Sequence, residues 1–235
     1  MSTLYLIRHG QASFGTEDYD RLSPLGRLQA SRTGEYLRRS GIQLDAAYSG
    51  ELRRQRETCE LALAELGGSV PVTVDARFNE IRNDEQFETL GPHLAASDPE
   101  LAALLARSHD DSKSYQKVLR AIFNHWVTQD CSAFGIQAWA DYREALDLAL
   151  GELMQSEGSG RSVALFTSGG TIATIVAGVL GLDGTAVYRF YEPIFNCSIT
   201  QLFFSGQRVS LSYFNDRSFL QLLGEQYNEE LLSYR

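Results

Sequence analysis

Residues 4–10 read Leu-Tyr-Leu-Ile-Arg-His-Gly, and no other stretch constrains the fold as much. Four consecutive apolar residues suit a buried strand, as found in sheets covered by helices. They run without a break into Arg8, His9 and Gly10. In open α/β sheets, ligands bind at the carboxyl ends of parallel strands. An imidazole there, beside a fixed cation and ahead of a residue that permits a tight turn, is placed to attack an anion. His9 is therefore read as a nucleophile. Short motifs match by chance, so the pair acquires weight only from what the rest of the chain puts beside it.

The chain has 235 residues, enough for one large α/β domain carrying an insertion, and a single domain over 1–235 is expected. Its 43% hydrophobic and 22% charged residues match a water-soluble globular protein. No stretch approaches the roughly 20 apolar residues that span a bilayer, and no basic region precedes a long apolar core at the N-terminus. A cytoplasmic protein without a membrane partner is expected. Cys59, Cys131 and Cys197 lack any C-x-x-C spacing, which points to reduced thiols rather than a disulfide framework or zinc knuckle. A formal charge of −9 argues against nucleic acid, whose non-specific affinity comes from clustered Lys and Arg. An anionic substrate needs a locally basic pocket.

Beyond Gly10, a polar loop over residues 11–21 sits where a substrate-facing loop belongs. Ser23-Pro24 opens a helix as N-cap and first helical residue, and Gly41 closes it. A short strand over 46–48 precedes a helix over about 52–66, with Cys59, Ala62, Leu63 and Leu66 on one face. Arg53, Arg54 and Arg56 crowd its first turns, where the macrodipole disfavours cations, so the cluster asks for an anion, although Arg53 and Arg56 are read as a solvated basic patch. A β-branched strand over 70–74 leads to Arg77-Phe78-Asn79-Glu80.

Over about 84–137 the pattern becomes purely helical and reads as an inserted cap. Ser97 and Glu100 suggest a capping box, and Tyr115, Val118, Leu119, Ile122 and Trp126 form an amphipathic stripe. His93, His109 and His125 all fall in this block without metal-ligand spacing and read as surface or cap histidines. The α/β pattern resumes with a helix over 139–154, a strand over 163–167, Ser168-Gly169-Gly170, and an apolar helix ending near Gly181. Residues 196–204 and 208–214 alternate around Gly206 as a hairpin whose exposed edge leaves pairing with a second chain open. A last helix starts near Phe219.

The ordered pieces resemble the histidine phosphatase superfamily, the phosphoglycerate mutase-like proteins. Arg8-His9-Gly10 matches its R-H-G. Leu22-Ser23-x-x-Gly26-x-x-Gln29-Ala30 is similar to L-T/S-x-x-G-x-x-Q-A, and Ser49-x-x-Leu52-x-Arg54-x-x-x-Thr58 to S-x-x-L-x-R-A-x-x-T-A. Gln55 and Cys59 stand where alanines are usual. Asn196-Cys197-Ser198-Ile199-Thr200 resembles the late N-x-S-V/I-T strand. The resemblance runs from Thr3 to about Asp216 and implies a three-layer sandwich, with a mixed, mostly parallel sheet between helices, no cofactor or metal, and a phosphohistidine intermediate. Arg8 and Arg54, bidentate toward phosphate oxygens, would hold the phosphoryl group in line with His9. Glu80 is the general acid by family position, with Asp84 close enough to compete.

Two departures matter. The family usually carries a second histidine in a strand-end S-H-G-G segment, whereas this chain reads Thr167-Ser168-Gly169-Gly170. Ser168 and the Gly169 N–H at a helix start could still bind phosphate, with the positive charge lost. One missing transition-state donor typically lowers the rate by roughly 10²–10³, so a weakened phosphatase, or a member that binds phospholigands without turnover, is implied. Ala12 and Gly15 stand where the family often has Ser/Thr and Asn, which favours phosphatase over mutase activity. The turn at Ser168 also resembles a nucleophile elbow, but that mechanism needs a later histidine and none follows His125. The expected partner is a phosphorylated small molecule or phosphopeptide.

Overall fold

The computed structural model describes residues 1–13 and 20–234. Its frame is a six-stranded sheet formed by β1 (Ser2–Arg8), β2 (Ala46–Ser49), β3 (Val72–Val74), β4 (Ser162–Thr167), β5 (Ile199–Ser205) and β6 (Arg208–Asp216). The order is β3-β2-β4-β1-β5-β6. β1 to β4 pair in parallel, and β5 runs antiparallel to β1 and β6, giving the mixed, mostly parallel sheet of an α/β sandwich.

Strand β1 explains why its apolar residues are consecutive. Alternate side chains leave a strand on opposite faces. Leu4 and Leu6 enter one hydrophobic cluster and Tyr5 and Ile7 the other, so both faces are covered. β4 divides in the same way, Val163 and Leu165 against Ala164 and Phe166. The second cluster is closed by α1 (Pro24–Arg39), α2 (Arg53–Ala64) and α9 (Ser218–Tyr227). The first is closed by α6 (Trp139–Glu157), α7 (Gly169–Val179) and α8 (Gly184–Tyr191), together with α3 (Asn83–Ala95), α4 (Pro99–Arg107) and α5 (Ser112–Thr128).

The helical block over 83–128 shares a core with the sheet: Val118, Ile122, Phe123 and Trp126 of α5 are buried in the cluster that holds Leu4 and Leu165. Trp126 packs edge-on against Trp139 at 5.1 Å between ring centroids and donates to the Gln137 carbonyl at 2.7 Å. α4 starts one residue later than a Ser97 capping box requires. Asp98, held extended ahead of Pro99, accepts from the N–H groups of Glu100 and Leu101, both at 3.0 Å. Ser97 instead donates to Leu94. β3 is shorter than the β-branched run suggests and sits at the sheet edge with Val72 and Val74 each 48% exposed. α8 was not anticipated from the sequence, because Val187, Tyr188, Phe190 and Tyr191 are weak helix formers. Asp183 caps it through Thr185 N–H at 2.9 Å, and Val187 and Tyr188 bury one face.

The turn after β1 is fixed by contact between two glycines. A Cβ on Gly10 would lie 2.3 Å from the Gly26 carbonyl oxygen, and one on Gly26 would lie 2.1 Å from the Gln11 carbonyl oxygen. α1 therefore presses directly on the backbone that carries His9. Ser23 caps that helix by accepting from Gly26 N–H at 3.0 Å. Gly26→Ala is expected to lower stability by about 1–3 kcal/mol through backbone overpacking, read as a fall in thermal midpoint, whereas Gly68→Ala, where a Cβ meets nothing within 4 Å, should leave it unchanged.

Candidate active site

His9 stands just past β1, 4% exposed, with its peptide N–H bonded to the Thr167 carbonyl of β4 at 2.9 Å. Both ring nitrogens are engaged. Nδ1 lies 2.7 Å from the Gly10 carbonyl, and Nε2 lies 3.2 Å from Arg54 Nε. A carbonyl can only accept and a guanidinium can only donate. The neutral ring must carry its proton on Nδ1 and expose the Nε2 lone pair. Burial, then the charges of Arg54 and Arg8, push the His9 pKa well below its usual 6.5, which keeps that lone pair available at neutral pH.

Arg54 is buried in the first turn of α2, a position explained by its partners: Asp20 accepts from its Nη1 at 2.7 Å and from the Arg53 N–H at 2.8 Å. The same helix steadies the turn below. Thr58 donates to the Arg54 carbonyl at 2.7 Å and accepts from Gly10 N–H at 3.0 Å. Arg8 is oriented by donating from Nη1 to the carbonyls of Ile194 and, at 3.0 Å, Tyr234. Asn196 fixes the His9 carbonyl at 3.2 Å. Glu80 lies beyond a short 3-10 turn, and its Oε1 accepts from the N–H groups of Gly170 and Ile81, both at 3.0 Å. Desolvation raises its pKa above 4.5 against the opposing pull of Arg54 and Arg8.

These four residues line one cavity of about 870 Å³, whose walls include Ala12, Asp84, His109, Tyr115, Tyr188, Tyr191 and Tyr234. The structure thus brings Arg8, His9, Arg54 and Glu80 together. Asp84 lies on the exposed first turn of α3 at the same cavity, and one of the three cap histidines, His109, faces it. His93 packs against Phe134 and His125 instead. Gly15 and most of the loop over 11–21 fall outside the described residues. Among the described residues no group of three or more His, Cys, Asp or Glu side chains could hold a metal ion, and no helix is long and apolar enough to cross a membrane.

Ser168 and Gly169 sit at the junction of β4 and α7. Neither borders the cavity. Ser168 is fully buried, and its Oγ accepts from Gln55 Nε2 at 2.8 Å. Gln55 Nε2 also donates to the Phe78 carbonyl at 3.2 Å, while Gln55 Oε1 is buried without a hydrogen-bond partner. Turning the amide over would set two oxygens against each other at Phe78, so the arrangement is the lesser penalty. Gly169 contributes proximity: a Cβ there would lie 3.0 Å from the Tyr191 ring and 3.6 Å from Arg8 Nε. Several supporting residues, Thr58, Gln29 and Asn196, were visible in the sequence as motif positions without an assigned role. Gln55 was visible only as a departure.

A model of the histidine phosphatase superfamily (branch 1) matches residues 4–217. The chain belongs to the histidine phosphatase superfamily. A 2,3-bisphosphoglycerate-dependent phosphoglycerate mutase of Caulobacter sp. is 41% identical over 88 residues, 34% of this chain and 37% of that protein. One from Thermobifida fusca is 39% identical over 88 residues, 34% of this chain and 35% of that protein. The matched segments thus span little more than a third of those relatives. Among solved structures, a phosphoglycerate mutase from Bacillus anthracis superposes with TM-score 0.67 at 17% identity, covering 94% of this chain and 95% of that one. A phosphoserine phosphatase from Entamoeba histolytica superposes with TM-score 0.63 at 21% identity, covering 94% and 100%. At such identities the superpositions establish the phosphoglycerate mutase-like fold.

An imidazole at position 168 would extend past the γ atom into the amide of Gln55. Ser168→His alone is expected to lose about 1–3 kcal/mol to overpacking. Ser168→His combined with Gln55→Ala should recover most of the lost melting temperature. Equal destabilisation of the single and double variants would show that the two positions do not share space.

Proposed function

We propose that the protein hydrolyses phosphomonoesters of small molecules through a phosphohistidine on His9, in the reducing cytoplasm to which its three buried free thiols are suited. The observation that carries this reading is the His9 ring, whose Nδ1 is tied to Gly10 and whose Nε2 lone pair faces Arg54 inside the cavity. In the first step Arg54 Nε transfers its hydrogen bond from Nε2 to a phosphoryl oxygen, Nε2 attacks phosphorus, the bond from phosphorus to the ester oxygen breaks, and Glu80 gives its proton to the departing alkoxide. In the second, water attacks the phosphorus, Glu80 takes its proton, and the P–N electron pair returns to Nε2 as phosphate leaves. Arg8 and Arg54 spread the charge of the equatorial oxygens.

Glu80 suits both roles better than Asp84. Its raised pKa favours the protonated acid, and its second function needs only that it ionise once the alkoxide has taken the proton. Ser168 supplies no positive charge, so we read the site as a slower variant of a two-histidine arrangement, and His109 at the cavity wall is the available imidazole. Mutase chemistry is the weaker reading, since it requires the phosphoenzyme to resist water until a second substrate oxygen is in place.

Rapid quench with a phosphate ester should trap acid-labile, base-stable phosphate on His9 and none in His9→Ala; label on a serine would overturn the mechanism. The pH dependence follows from the shifts. His9 must be neutral and its pKa is lowered, so kcat/KM should persist below pH 6.5 before falling. Glu80 must be protonated and its pKa is raised, so kcat/KM should decline as pH rises through that value. Glu80→Gln should remove the alkaline decline and slow alkyl phosphates by roughly 10²–10⁴, with a smaller effect on p-nitrophenyl phosphate, whose leaving group needs little proton. An unchanged profile would point to Asp84. Arg54→Lys should be nearly as damaging as Arg54→Ala, because a point charge cannot replace a planar fork.

A further inference from the structure

The cavity is far larger than a phosphate. At about 870 Å³ it lies in the upper part of the range for sites that enclose a whole small molecule. Its charges are unevenly placed. Arg8 and Arg54 sit with His9 at the floor. Beyond the floor, the lining side chains able to carry positive charge are His109 and Arg82, the latter 69% exposed and already paired with Glu85 at 3.7 Å. Asp84, Asp110 and Glu192 also line the cavity and form no salt bridge among the described residues. Residues 14–19 read Phe-Gly-Thr-Glu-Asp-Tyr and so supply no further cation wherever they lie. A second anionic group on a substrate would therefore meet mainly carboxylates beyond the floor, with His109 set among them.

The lining also includes fixed rings. Tyr115 stacks on Phe87 at 5.1 Å between centroids and 17° between planes. Tyr188 is buried and donates its hydroxyl to Gln116 Oε1 at 2.9 Å. Tyr191 accepts from Asn83 Nδ2 at 2.7 Å and packs edge-on against Tyr188. Rings held in this way offer stacking surface at little further loss of freedom, and their faces tolerate a cation better than an anion.

Resting on the phosphatase reading above, we propose that the substrate is the phosphomonoester of an aromatic or arylalkyl alcohol whose distal end is neutral or cationic, and that substrates with a distal carboxylate or second phosphate are rejected. Para-substituted benzylphosphonates, which are not hydrolysed, separate this from the question of turnover. Calorimetry should find the carboxymethyl compound at least about tenfold weaker than its methyl and aminomethyl counterparts, since several exposed like charges each contribute modestly. Asp110→Asn with Glu192→Gln should narrow that gap. A carboxymethyl compound that binds as tightly as the others would overturn the proposal, and so would failure of all three to bind. The matching benzyl phosphates are assayed in parallel. Absence of turnover with the phosphonate order intact would defeat hydrolysis while leaving the binding preference standing.

Discussion

Everything in this site depends on one hydrogen bond, from Nδ1–H of His9 to the carbonyl of Gly10 at 2.7 Å. It fixes the tautomer and so decides which nitrogen keeps its lone pair. The ring of a strand-end histidine would otherwise be free to turn, while burial and the charges of Arg54 and Arg8 keep off the second proton. The bond works only because the Gly10 peptide is immobile, and immobility is supplied from three directions. Thr58 accepts from the Gly10 N–H, Asn196 donates to the His9 carbonyl, and Gly26 lies against the Gly10 α carbon with no room for a methyl group. Helix α1, helix α2 and the residues before β5 thus converge on the two peptides that flank Gly10, the second also held by Gln11 N–H donating to Gln29 Oε1 at 2.9 Å.

Helix α2 carries a disproportionate share of this load. Arg54 faces the cavity, Gln55 faces the junction of β4 and α7, and Thr58 one turn later meets Gly10. A helix makes such a division possible because residues 54 and 58 share a side while 55 is turned about 100° away. The loop bearing Glu80 is tied to the same junction. Phe78 accepts from Gln55 and from Thr167, the latter at 2.6 Å, and Asn79 accepts from Thr171 at 2.7 Å. Ser168 is consequently part of the scaffold behind the acid, and the unpaired Oε1 of Gln55 is a local cost carried for that scaffold.

How much of this could be read from the sequence depended on whether a residue's role was local. The β1 strand, the Ser23 cap and the amphipathic stripe of α5 follow from period and composition, and the ordered motifs around Arg8, His9 and Arg54 brought the family and the fold with them. Glu80 was placed by family position alone, since an isolated glutamate after a short strand carries no periodic signal. α8 was missed because its aromatic residues serve the cavity and the core at the expense of helix propensity. The role of Ser168 could not be deduced because it is set by Gln55, 113 residues earlier in the chain. A single sequence records both substitutions without showing that they touch.

The electrostatics of the floor follow from the same packing. Arg54 near the start of a helix, close to Arg8 and a neutral imidazole, is a cation in an unfavourable place, and Asp20 relieves it by accepting from Nη1 at 2.7 Å. Asp20 is itself 39% exposed, so the pair keeps one member in water and is held more weakly than a fully buried one. A dianionic phosphoryl group brings more charge and a second acceptor for the same guanidinium fork. On the proposed reading the carboxylate would return to solvent when phosphate arrives, at modest expense. Arg54 Nε donates to the same His9 Nε2 lone pair that the proposed attack would use, so that hydrogen bond would have to pass to a phosphoryl oxygen before phosphorus could reach the nitrogen.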